Sequence, residues 1–167
     1  MKILGIDPGT IVMGYGVIES EDDEISPVDF GAIKVSERSP IGERLNRLYH
    51  ELLKIVRKHR PDCVAVEQPF VAKNVRTALA IGRAQAIALL AAANQDIPSF
   101  EYTPAFIKQR VANYGAGSKE QVQEMVRLQL GLAEIPQPND AADALAVAIC
   151  HAQEVHLNDL LTRQGER

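Results

Sequence analysis

The chain alternates between short apolar runs and helix-spaced apolar positions, and the two patterns divide it into elements. Lys2–Ile6 is a brief apolar run that predicts a buried strand. Tyr15–Glu19 predicts a second strand, reached through the turn Pro8-Gly9-Thr10. Val28–Val35 predicts a third, after an acidic turn at Glu21–Glu24. Three strands with short connections read as an antiparallel meander. From Ser39-Pro40 the spacing changes. Ser39 reads as an N-cap with proline at the first helical position, and Leu45, Leu48, Leu52 and Val56 follow at helical intervals toward Pro61. Cys63–Val66 is apolar without alternation, as in a strand covered on both faces. Val75–Asn94 predicts a long alanine-rich helix and Ser99–Tyr102 a fifth strand. Thr103-Pro104 opens another helix, and Ser118-Lys119-Glu120-Gln121 has the form of a capping box for a helix to about Leu130. Asn139 or Asp140 caps a last helix to about Val155.

This order predicts an α/β fold. A mixed five-stranded sheet, an antiparallel meander extended by parallel strands through helical crossovers, is flanked by helices. The 167 residues suit one domain with a sizeable core. Residues 1–156 are expected to form it, with 157–167 a short flexible tail. The strands starting at Lys2 and ending at Val66 should be central neighbours, so their carboxyl ends open on one edge, where open α/β sheets bind ligands.

Composition adds less than its distribution. The net charge of −4 argues weakly against a polyanionic partner. Residues 1–33, however, hold one base and seven acids, residues 34–127 fifteen bases and nine acids, and residues 128–167 two bases and six acids. Acidic ends mask a basic middle, a pattern shared by solvated surfaces and nucleic-acid binders. Cys63 and Cys150 lie in apolar runs without metal or redox spacing, which fits a reduced, cytoplasmic interior. The N-terminus meets a charged turn too early for a secretory signal, and the longest unbroken apolar run, Ala86 to Ala93, falls short of a membrane span.

Four acids stand where chemistry is expected. Asp7 and Glu67 end the first and fourth strands, and Asp140 and Asp143 share a face at the start of the last helix. Each has an ordinary structural role open to it: a turn, an exposed strand end, an N-cap, a helix-dipole partner. Three segments aiming carboxylates at one edge is harder to explain that way. Clustered carboxylates repel unless neutralised, and an oxygen-only set favours Mg²⁺ or Mn²⁺ over zinc. A pair of such ions suits phosphodiester hydrolysis.

Several motifs then agree in order. GIDPGT with GYGVIE, VAVEQPF, AKNVRTALAIGRAQ, IKQRVANYGAGSKEQVQEMV and NDAADALAVAICHA together resemble the RuvC family of Holliday junction resolvases over roughly residues 1–152. The resemblance implies a ribonuclease H-like fold, a homodimer and metal-dependent endonuclease action in DNA recombination and repair. It implies catalysis and metal binding by Asp7, Glu67, Asp140 and Asp143, with two Mg²⁺ ions per site and Mn²⁺ able to substitute. It also implies an aromatic at Phe70 that stacks on a junction base, and backbone-contacting lysines at Lys108 and Lys119. Pro69 departs from the bulkier residue often found there. Lys73, Asn74 and Arg76 follow the catalytic strand closely enough to join the DNA contacts. The implied partners are four-way junction DNA, a second copy of the chain and a branch-migration motor complex. Small residues on the alanine-rich helix (Ala78, Ala80, Ala84 and Ala88) would permit the close approach of a partner helix or of the chain's own sheet. Two alternatives stay open: a nuclease of the same fold acting on another nucleic acid, and an ATPase-fold relative.

Overall fold

The computed structural model describes residues 1–21, 24–69, 74–112 and 118–165. Strands β1 (Lys2–Asp7), β2 (Val12–Glu21) and β3 (Glu24–Lys34) form the meander. Helix α1 (Ile41–His59), strand β4 (Cys63–Glu67), helix α2 (Val75–Ala93) and strand β5 (Ser99–Tyr102) follow. Helices α3 (Pro104–Ala112), α4 (Lys119–Gln129) and α5 (Asn139–Gly165) complete the described order. The sheet order is β3-β2-β1-β4-β5. β1 is antiparallel to β2 and parallel to β4, and β4 is parallel to β5. The mixed sheet expected from the sequence is therefore present.

Alternation along β1 sends successive side chains to opposite faces. Leu4 and Ile6 join Leu48, Leu52, Val56, Ala84, Ala88 and Ala91 in a core under α1 and α2. Ile3 joins Ile107, Val126, Leu145 and Ile149 in a second core under α3, α4 and α5. Ile6 is paired with Val66, and both lie in the first core. The next residues, Asp7 and Glu67, consequently leave the two central strands on the α5 face.

α5 lies unusually close to that face. A Cβ on Gly5 would collide with the Ala144 carbonyl oxygen, and one on Gly14 with that of Asp140. Glycine at these two strand positions lets the helix backbone approach the sheet.

Some boundaries differ from expectation. Pro40, not Ser39, is the N-cap of α1, with φ −53° and ψ 148° and no side-chain capping bond. Proline's fixed φ suits a cap in extended conformation as well as a first helical residue, so the pattern did not separate the two. α5 begins at Asn139, so Asp140 lies inside its first turn, and it continues to Gly165, through most of the segment expected to be a flexible tail. Its exposed end keeps Leu160 and Leu161 in solvent, so no apolar periodicity marked the continuation. α2 is also longer as an apolar element than unbroken runs suggested. With mean hydropathy 1.3 over its 18-residue window, it is long and apolar enough to cross a membrane by those measures alone. Here Ala84, Ala88, Ala91 and Ala92 bury against the first core, while Arg76 and Arg83 are exposed.

Candidate active site

Three elements deliver the four acids. β1 ends on Asp7, β4 ends on Glu67, and the first turns of α5 carry Asp140 and Asp143. Register fixes the first two as neighbours, one step beyond the Ile6–Val66 pair. The close seating of α5 over Gly14, the register partner of Asp7, brings in the others.

The electrostatics record this convergence. The Asp7 carboxyl is pushed up to about 8, first by burial and then by the charges of Glu67, Asp143 and Asp140, with Lys119 acting against them. Glu67 is pushed up to about 7 by burial and by Asp143, opposed by Lys119 and Lys108. Such values mean that Asp7, and Glu67 in part, hold protons near neutral pH unless a cation replaces them.

A cleft of about 200 Å³ opens beside the acids, lined by Glu67, Asp143, Lys108 and Lys119 over an apolar floor that includes Ile107, Val122 and Ala146. Lys108 projects from α3 and Lys119 opens α4. Ser118 caps α4 through its side chain on Gln121 N–H, and the Gln121 side chain returns to the Ser118 N–H, the capping box expected from sequence. This fixes where Lys119 starts. The Lys119 ammonium lies 2.6 Å from Asp143 Oδ2.

The oxygen-only donor set suits a hard divalent cation. Among the described residues, however, no three Asp, Glu, His or Cys side chains already stand in a metal-holding arrangement. The acids are gathered but not closed into a cage, and Lys119 occupies one oxygen of Asp143. The fit to a metal therefore lies in the chemistry and mutual repulsion of these carboxylates.

The other expected site residues are spread along the neighbouring segment. Phe70 and Lys73 lie outside the described residues. The Asn74 side chain accepts a hydrogen bond from Thr77 N–H at 3.2 Å, so its oxygen caps α2. Arg76 is exposed in the first turn of that helix. Cys150 and His151 take no part in the acidic cluster. Both are buried, with His151 Nδ1 2.7 Å from the Tyr102 hydroxyl. Gly5 and Gly14 escaped the sequence reading as site-forming residues. Glycines inside otherwise buried strands were the available signal, since a strand interior usually disfavours them.

Known proteins align with this arrangement. Residues 3–151 match the family model described as crossover junction endodeoxyribonuclease RuvC. A protein of that name from Dehalococcoides mccartyi is 57% identical over 166 residues, covering 99% of each chain. One from Desulfitobacterium hafniense is 50% identical over 165 residues, covering 99% of this chain and 98% of its own. Among solved structures, Thermus thermophilus RuvC in complex with Holliday junction substrate superposes with TM-score 0.89 at 35% identity, over 95% of this chain and 96% of the other. The yeast mitochondrial Holliday junction resolvase Ydc2, at 15% identity and TM-score 0.64, covering 94% of this chain and 82% of its own, shares the fold. With a family model matched over nearly its whole length and relatives above half identity, the chain belongs to the RuvC family of crossover junction endodeoxyribonucleases.

Proposed function

We propose that the carboxylate cluster at the β1–β4 edge is where this Holliday junction resolving endonuclease hydrolyses phosphodiester bonds, and that Asp7, Glu67, Asp140 and Asp143 hold the divalent metal it uses. The observation that carries this is the field at Asp7: three other carboxylates, from two further elements, converge on one half-buried acid at the sheet edge, beside a cleft lined by two lysines. Mg²⁺ is the proposed ion, with Mn²⁺ able to substitute and two ions per site. Held there, such metal would supply an activated water and would offset charge on the departing 3′ oxygen.

The chain's own residues perform the remaining tasks. Asp7 and Glu67 give up the protons they hold near neutral pH when positive charge enters the cluster. Lys108 and Lys119, lining the cleft, offset phosphate charge on the strand being cut. Arg76, exposed at the start of α2, adds a further basic contact to the DNA, and Lys73, three residues before it in sequence, is assigned the same role. Asn74 sets the start of α2 and, through its remaining amide protons, joins the same DNA contacts. Phe70 stacks on a junction base, a contact worth about 1–3 kcal/mol.

Resolution requires two cuts, and a two-fold dimer presents two identical sites to a junction of near two-fold symmetry. The proposed dimer surface is α2, which keeps Val75, Leu79 and Leu90 exposed above its buried alanine face. Residues 1–156 form the nuclease domain, with the end of α5 appended to it. Family membership suggests a branch-migration motor complex as a further partner and the cytoplasm as the location. The buried free thiols of Cys63 and Cys150 suit a reducing compartment.

The experiment presents a synthetic four-way junction, a linear duplex and an RNA–DNA hybrid to the protein, with Mg²⁺ or with chelator. Paired symmetric nicks on the junction, lost on chelation, are expected. Cleavage of the hybrid in preference to the junction would favour the other nuclease reading, and cleavage that survives chelation would remove the metal.

A further inference from the structure

Lys119 stands in two environments at once. Its side chain is 56% exposed, yet its ammonium reaches Asp143, whose side chain is only 19% exposed. The contact joins the first residue of α4 to the second turn of α5. It also puts one positive charge against the carboxylates of a cluster that otherwise repels itself. Lys108 lines the same cleft, and its charge acts on Glu67. Among the described ion pairs, however, it is Lys119 that lies against one of these acids.

An ammonium and a divalent cation compete for the same carboxylate oxygens, because both are hard, strongly hydrated cations. Lysine suits a temporary occupant: its charge is a point at the end of a flexible four-carbon stem, without arginine's rigid fork. The capping box holds the base of that stem while leaving its tip free to move. We propose that Lys119 is the resident counter-cation of Asp143, and that divalent metal enters the cluster by displacing its ammonium toward the mouth of the cleft. The inference rests on the proposed metal-holding role of the four acids. It deepens that role by explaining why the acids are gathered without being closed: Asp143 is paired elsewhere until metal arrives. The displaced ammonium then stands where substrate phosphate passes.

The test is Mn²⁺ binding to the full chain without DNA, read from the electron paramagnetic resonance signal of free Mn²⁺. Lys119→Gln removes the competitor and should tighten Mn²⁺ binding about tenfold, the scale of one hydrogen bond between charged groups. Lys119→Arg keeps the charge and grips a carboxylate more firmly, so it should bind Mn²⁺ at least as weakly as the native chain. Lys108→Gln removes a charge from the same cleft without freeing Asp143, and should change binding by no more than about twofold, as for a solvent-screened charge. A thermal melt of each variant checks that it is folded. A merely structural bridge between α4 and α5 would lower the melting temperature of Lys119→Gln and leave Mn²⁺ affinity unimproved, which would overturn the inference. Equal tightening by Lys119→Gln and Lys108→Gln would overturn it too, by reducing the effect to general charge. If Mn²⁺ binds none of the four proteins at millimolar concentration, the metal reading of the acids falls and takes this inference with it. Binding that is equal in native chain and Lys119→Gln defeats the displacement alone.

Discussion

Asp7 stands in the field of three other carboxylates and of Lys119. Its carboxyl, ordinarily near 3.8, is pushed up to about 8 by desolvation at its half-buried position and then by the charges of three other acids. A folded value above the unfolded one favours the folded state at low pH, and that contribution is lost as pH rises from the unfolded value through the folded one. The metal-free protein should therefore lose thermal stability between about pH 4 and pH 8. Asp7→Asn should flatten that decline, and divalent metal should restore stability at the upper end. Melting curves across this range check it; parallel slopes for native chain and variant would remove Asp7 from the field. In cleavage, Asp7→Asn should reduce the rate by about a hundredfold or more while junction binding persists, the scale at which a key charge-stabilising group acts. At this scale the convergence of the four acids on one edge was legible, because two end neighbouring strands and two share a face at the start of a helix; the work they do there is the proposal. Lys119's grip on Asp143 was not, because the sequence gives the positions of α4 and α5 along the chain but not their separation.

Elements place these residues, and two small features of the elements deserve direct tests. Gly14 lets the start of α5 settle on β2, so Gly14→Ala should lift the helix and displace Asp140. The expected cost is about 1–3 kcal/mol in stability, as for overpacking. Metal affinity should also fall by roughly tenfold, as when a metal site's supporting contacts are lost. Denaturant titration and Mn²⁺ binding on the same samples check both, and unchanged values would mean that α5 does not depend on this approach. Ser118→Ala removes the cap of α4 and should cost about 1 kcal/mol in urea unfolding. The Ser118 cap was legible because its signature is local, a serine with glutamine three residues on. The α1 start was read one residue early because Ser39 and Pro40 both fit a helix entrance. The reach of α5 to Gly165 was missed because its last turns pack against little and so lack a hydrophobic stripe.

For the whole molecule, strand order followed from chain order: short links forced the meander, and helical crossovers forced parallel pairing. Which helices share a face did not follow, since both cores draw on similar aliphatic residues. Nor did the surface of α2, whose mean hydropathy reflects a buried alanine face together with exposed Leu79 and Leu90. If those leucines meet a second copy, Leu79→Asp should convert a dimer to a monomer in sedimentation and turn paired nicks into single, uncoupled ones. A native chain that sediments as a monomer at all concentrations would dismiss α2 as a dimer surface. The most direct measurement for the enzyme as a whole is anomalous diffraction from crystals grown with Mn²⁺. Density for the ion should appear bonded to Asp7 and to at least one of Glu67, Asp140 and Asp143, with the Lys119 ammonium moved off Asp143. Crystals of active protein with Mn²⁺ bound elsewhere, and these four carboxylates empty of metal, would contradict the site.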